Sequence, residues 1–422
     1  MNKLSVEELC GTKALSLLKT EWQTLFAATK ASPFLSWEWL SAWHQWLGAN
    51  KKPRLFCVRE GKALIGLLPL CQEERRLRGT FARLRRLSFL GEDLGGSDYL
   101  DVLTTPGYEQ ECANLLFHHL AEEADFDLLE LDGLAYDSPS LPWLALHFSE
   151  RSDFKYRFEP RYICPQLRLE GSGADFLQSS PRATHLNRCL RRLRRLPGFE
   201  YRVITDAAQV PDAFERFLSL HEQLWAERGG SGATGLPVLK NFQRDAVAKL
   251  GQAGRMRFEE IWIDGACRAS LYGIDAGDRY CFYLSGYDPA YAKHSLGFAL
   301  IGLSITGAAD RGMKFYDLLR GGERYKFDWA NEARATIAVH IVGKTAPARF
   351  ALLSNHAAEI ARAAAHTVLP DRALAFWRQW RRRRAQQAQL NGALGKGANS
   401  GPLKEDIGGL ATNVLLSFAW LF

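Results

Sequence analysis

One order of elements is written twice along this chain, and that recurrence limits what it can fold into more than any single motif does. In the first half, residues 54–59 and 63–71 alternate as a hairpin about Glu60-Gly61-Lys62, 99–103 read as a strand, 110–124 as a helix and 126–131 as a closing strand. The second half restates the order with a hairpin of 256–263 and 269–275 about Asp264-Gly265, a strand at 280–285, a helix at 297–311 and a strand at 314–319. Even the closing strands share a shape, Phe126-Asp127-Leu128-Leu129-Glu130 against Phe315-Tyr316-Asp317-Leu318-Leu319. Helices are predicted ahead of the first hairpin, over 14–28 and after the capping Ser36, where Trp39, Trp43 and Trp46 share one face as a core stripe. Ahead of the second come a strand at 201–204 and helices at 211–228 and 241–250. The fold class is therefore α/β (α+β), in two related lobes of mixed, mostly antiparallel sheet flanked by helices.

Gly171-Ser172-Gly173 interrupts the pattern and places a boundary between lobes 1–170 and 171–345. Residues 346–422 change character to an alanine- and arginine-rich helical extension, glycine-rich over 392–401. A chain of 422 residues, 47% hydrophobic and 24% charged, supports two packed cores and excludes a disordered protein. Its net charge of +7 decides little, whereas arginines crowd at 75–86, 188–195 and 381–384. None of the 8 cysteines is paired at metal-ligand spacing, so neither a zinc site nor a disulfide framework is indicated, and no metal is expected. The acidic start, with Glu7 and Glu8 where a secretory signal needs an apolar stretch, predicts a cytoplasmic protein. The uncharged tail at 407–422 is the one candidate for membrane contact, and it is shorter than the ~20 residues of a spanning helix.

The run from Tyr283 to Gly297 reads as a strand breaking into a turn that opens a helix. Such a turn gathers unpaired main-chain N–H groups, which suit a diphosphate, and it makes Lys293, His294, Ser295, Leu296 and Gly297 the expected cofactor-binding residues. A second cluster, Asp317 through Lys326, is again a strand entering a charged loop. The stretch 182–195 reads as an amphipathic helix, with Leu186, Leu190 and Leu193 opposite Arg188, Arg191, Arg192 and Arg195. That face is either solvated or a dock for an anionic acceptor, and with no aromatic residue interleaved, nucleic acid is not expected as a partner.

Four segments carry a family resemblance: Ser32 through Leu40, Leu220 through Gly229, Ser285 through Gly297, and Tyr316 through Lys326. They resemble the acetyltransferases associated with bacterial cellulose biosynthesis, the CelD/BcsL group of the GNAT superfamily, which is similar in turn to the FemAB-type aminoacyl transferases with two GNAT-like lobes. The resemblance spans roughly residues 20 to 345. It implies tandem GNAT-like acyltransferase lobes, acetyl-CoA or another acyl-CoA as donor, a sugar- or amine-bearing acceptor, and polysaccharide-synthesis machinery as a partner. The turn carries one glycine where the superfamily signature has two small residues, which leaves an aminoacyl-tRNA donor and a catalytically silent scaffold as alternatives.

Acyl transfer to an amine needs a base for the acceptor, donors for the oxyanion and a proton for the leaving thiolate. His221, Trp225 and Arg228 lie at i, i+4 and i+7 on one helix, so His221 is the candidate base or else a packed core histidine. Asp317 is a second candidate base or a structural partner of Arg320 or Lys326. Tyr325, or Tyr291, is the candidate acid. Tyr287, Arg320, Glu323 and Lys326 join Trp225 and Arg228 as expected substrate contacts, with surface and strand-packing roles as their alternatives.

Overall fold

Among the described residues, turn chemistry and alternation build one sheet out of thirteen strands. In the computed structural model these are β1 (Leu4–Cys10), β2 (Lys52–Glu60), β3 (Ala63–Arg76), β4 (Arg83–Phe89), β5 (Leu103–Thr104), β6 (Leu128–Ala135) and β7 (Lys155–Arg168) in the first half. The second half contributes β8 (Glu200–Ile204), β9 (Met256–Ile263), β10 (Ala266–Ala276), β11 (Arg279–Tyr287), β12 (Phe315–Asp317) and β13 (Glu332–Val342). The structure describes residues 3–343 and Thr345, apart from 77–82, 93, 124, 150, 152–153 and 231. The described residues up to 343 fall within one compact unit, Met1–Lys344. The helical extension expected at 346–422, with its arginine run, glycine-rich stretch and apolar tail, lies outside the described residues.

The sheet order is β1-β2-β3-β4-β6-β13-β7-β12-β11-β10-β9-β8, with β5 added on β3. Read inward from its two ends, the order repeats itself. Among the described residues the only parallel pairs are β4 with β6 and β11 with β12, and each is bridged by a helix, Glu109–Glu123 in one lobe and Leu296–Asp310 in the other. Such a parallel pair demands a crossover. At the centre the halves trade strands. β7 leaves the first half to pair with β12, β13 crosses back to pair with β6, and the two traded strands pair with each other. The lobes divided at residue 170 therefore share one sheet within Met1–Lys344.

Several expectations shift in the structure. The strand expected at 99–103 shrinks to Leu103–Thr104, because Tyr99 stands in the left-handed region at φ 58° and breaks any extended run. The helix expected over 14–28 is two helices, Thr12–Leu17 and Lys19–Ala27. Of the tryptophan stripe, Trp39 and Trp43 are core, as expected, while Trp46 is half-buried and donates to Asp245. The Ser36 hydroxyl accepts the Trp39 N–H at 3.3 Å to start the helix Trp37–Leu47, and Trp39 and Trp43 are buried.

The second lobe encloses a carboxylate. Glu259 is fully buried on β9 and accepts from the Ser304 hydroxyl at 3.0 Å, from Arg257 Nε at 3.2 Å and from the Tyr201 hydroxyl. Burial raises its pKa, against the pull of Tyr201 and Arg257. A carboxyl that holds its proton more tightly folded than unfolded stabilises most below its ordinary value of 4.5, and that contribution is lost as pH rises through the folded pKa. Glu259→Gln is accordingly expected to gain stability relative to the native chain as pH rises from 4.5 to neutrality, read from urea melts across that range. A constant difference between the two proteins would contradict it.

Candidate functional site

The two parallel strands of the second lobe stay paired only over Arg279–Cys281 and Phe315–Asp317. Beyond that point the Leu318 N–H turns to the Pro165 carbonyl at 2.9 Å, while β11 continues to Tyr287, so the strands part and open a mouth. Opposite β10, Tyr272 faces Leu284 and Gly273 faces Phe282, which leaves Tyr283 as the extra residue of a bulge on β11. Bulges bend a strand and break its ladder, and they gather beside active sites.

Past Tyr287 the chain turns under control of Asp288, whose carboxylate accepts the Ala290 N–H at 2.9 Å. A short 3-10 turn, Pro289–His294, follows, and then Ser295 at φ 56°, ψ 42°. The helix Leu296–Asp310 makes its first internal bond from Ala299 N–H to Ser295 O at 3.0 Å. Among the described residues, the N–H groups of Leu296, Gly297 and Phe298 have no acceptor. Three such amides at the positive end of a long helix favour an anion. A Cβ placed on Gly297 would lie 3.5 Å from the Tyr287 ring, an ordinary contact, so the fold itself does not require glycine there.

His221 lies behind this mouth on the helix Val210–Glu227. That helix packs so closely on β11 that a Cβ at Gly286 would stand 2.6 Å from the His221 nitrogen of the main chain. Nδ1 is 3.0 Å from the Ser285 carbonyl, which makes Nδ1 the protonated nitrogen and leaves the Nε2 lone pair free. Nε2 is buried and, among the described residues, has no partner. Burial lowers the ring's pKa below 6.5, opposed by the Ser285 carbonyl. A buried, oriented, neutral imidazole with a free lone pair is suited to accept a proton.

Trp225 and Arg228 continue along the same face. Trp225 sits 6.1 Å from the His221 ring, with the Arg228 guanidinium 5.8 Å from its own ring. Arg228 Nη2 donates to the Tyr287 hydroxyl at 3.4 Å, which joins this helix to the end of β11. These three, with Tyr287 and the turn Lys293, His294, Ser295, Leu296 and Gly297, form one group. Tyr291 belongs to the turn, with Arg268 stacked 4.9 Å from its ring. Tyr325 is partly exposed on the short helix Arg324–Phe327; burial and then the Glu323 carboxylate raise its phenol above the ordinary range, with Arg228 acting the other way.

Asp317 and its neighbours form a different group, tied down rather than open. Asp317 is fully buried and pairs with Arg279 at 2.8 Å, not with Arg320 or Lys326 as its structural alternative supposed. It also accepts the Leu319 N–H at 2.8 Å, holding Leu319 at φ 57°. Arg320 is held by the Asp98 carboxylate and the Ser97 carbonyl of the first half and stacks 4.4 Å from Tyr162. Lys326 is buried, donates to the Arg320 carbonyl at 2.5 Å and pairs with Glu323 at 3.1 Å.

Sequence reading missed the first-half loop that roofs this region. Gly95 and Gly96, at φ 105° and 67°, bring the loop against β11, where the Tyr283 hydroxyl donates to the Gly95 carbonyl at 2.5 Å. The adjacent glycines followed by Ser97-Asp98 were the available signal. Among the described residues there is no cluster able to hold a metal ion.

Residues 180–327 match the Acetyltransferase (GNAT) domain family. The structure is similar to FemX, with a TM-score of 0.53 at 11% identity over 79% of this chain and 96% of that one. It is also similar to the C-terminal domain of a protein from Agrobacterium fabrum named for lysylphosphatidylglycerol synthesis, with a TM-score of 0.50 at 11% identity over 82% and 96%. No curated protein matches the chain in sequence. Residues 180–327 are thus similar to the GNAT acetyltransferase domain, and the chain is an acyltransferase in which that match falls in the second half.

Proposed function

We propose that this enzyme moves an acyl group from acyl-CoA to an amine or hydroxyl of a cell-envelope or exopolysaccharide-related acceptor, as in the CelD/BcsL group. The observation that carries the reading is the set of acceptor-free amides at Leu296, Gly297 and Phe298 beside the mouth between β11 and β12. In this reading the amides hold the donor's diphosphate, with Lys293 adding positive charge and His294 a ring N–H. The acceptor nitrogen or oxygen attacks the thioester carbonyl and its proton passes to His221 Nε2. In this reading a main-chain N–H at the Tyr283 bulge, where the register of the ladder shifts, steadies the oxyanion. The C–S bond then breaks; Tyr325, whose proton is held more tightly than a thiol's, donates a hydrogen bond to the departing thiolate, which is protonated from solvent. Arg228, Tyr287 and Trp225 line the acceptor's approach, while Asp317, Arg320, Glu323 and Lys326 hold the loop beside it.

Calorimetric titration with acetyl-CoA tests the donor. Binding is expected, and Gly297→Ala should weaken it about tenfold without lowering Tm, because the added methyl meets no protein clash yet obstructs the amides. A folded sample that binds no acyl-CoA sinks the reading. A second reading, aminoacyl transfer from charged tRNA, is supported by the fold shared with FemX and the lysylphosphatidylglycerol-related domain. It requires tRNA binding that falls steeply with salt.

A further inference from the structure

Among the described residues, most arginines in this fold are answered by a carboxylate. Arg182 pairs with Asp328, Arg202 with Glu200 and Arg216 with Glu260, and the same holds through the first lobe. One helix gathers the largest group of exceptions. On Ala183–Leu193 and the turn after it, Arg188, Arg191, Arg192, Arg194 and Arg195 are all exposed, and among the described residues none is in ion-pair contact with an acid.

The helix buries Ala183, Leu186, Cys189, Leu190 and Leu193, so at 100° per residue Arg188, Arg191 and Arg195 point directly away from the core. Their charge is directed outward, into solvent. The helix also lies across one end of the sheet. Near its start Arg182 holds Asp328, His185 packs 4.6 Å from Phe298, and past its end the Pro197 carbonyl accepts from Asp264 at the β9–β10 turn. Those contacts put the ridge at the rim of the mouth. Beside Asp328 on the same rim, Phe327 is 49% exposed, a large apolar side chain left in water, and Arg324 is exposed with no acid in contact among the described residues.

We propose that this rim docks the enzyme on an anionic lipid bilayer, with the arginine ridge on the headgroups and Phe327 at the interface. A convex ridge of guanidinium groups with an aromatic tip at its flank fits a charged plane. Single-stranded RNA calls instead for a groove with aromatic platforms set among the cations, and the ridge carries none. The inference does not depend on the identity of the acyl donor.

Flotation of the full chain with vesicles of phosphatidylglycerol and phosphatidylcholine in equal parts tests it. Binding is expected to the mixed vesicles, to fall with salt, and to be absent on pure phosphatidylcholine. Replacing Arg188, Arg191 and Arg195 together by Gln should weaken partitioning roughly a hundredfold, at about fivefold for each charge removed. Phe327→Ser should weaken it further with circular dichroism unchanged. Three results would overturn the proposal: no binding to the mixed vesicles, equal binding to neutral ones, or binding indifferent to the triple replacement. Arginine-dependent binding of tRNA without vesicle binding would assign the ridge to RNA instead.

Discussion

His221→Ala is expected to lower kcat by about a hundred- to ten-thousandfold while acyl-CoA affinity stays within a few-fold of the native value. The lone pair that takes the acceptor's proton is removed, whereas the amides at Leu296, Gly297 and Phe298 are untouched. His221→Gln separates chemistry from packing, since its amide can still donate to the Ser285 carbonyl but cannot act as a base; it should be as inactive as the alanine variant. The pH profile carries the same signature. Because burial lowers the imidazole's pKa, the acid limb of kcat/KM should fall below pH 6.5 and vanish with the variant. Stability follows the same sign: below 6.5 the unfolded chain takes a proton that the folded ring refuses, so the His221 contribution is lost as pH falls. Unchanged turnover in both variants would remove His221 from the mechanism.

Asp317→Ala is expected to cost stability rather than chemistry, with a loss of about 3–5 kcal/mol in urea melts. The carboxylate answers Arg279, whose side chain is only 18% exposed, so deletion strands a buried guanidinium. It also removes the acceptor that holds the Leu319 N–H, and with it the restraint on a leucine at φ 57°. Turnover per folded molecule should change little. A variant of native stability that has lost activity would restore Asp317 to the role of base.

The second lobe was the more legible half. Met256–Ile263 is a strand at its expected bounds, and the turn that opens Leu296–Asp310 lies where the Tyr283 to Gly297 run placed it. Period-2 and period-3.6 patterns bounded by glycine turns are local signals, and they survive folding. The first lobe was harder because β4 carries arginines inside a buried strand. Arg86 is buried there only because Glu73, Glu92 and Glu130 arrive from neighbouring elements to answer it, which no window along the chain can show.

By itself, the order of residues determined the duplicated unit, the anion-favouring turn and the helix that carries His221, Trp225 and Arg228 on one face, since each depends on neighbours a few positions apart. Only the tertiary structure decided that β7 and β13 would be traded between the halves, that Asp317 would answer Arg279, and that a first-half loop would reach Tyr283 and Arg320. Those outcomes rest on contacts between residues far apart in the chain, where charge pairing and strand register are settled by which surfaces meet.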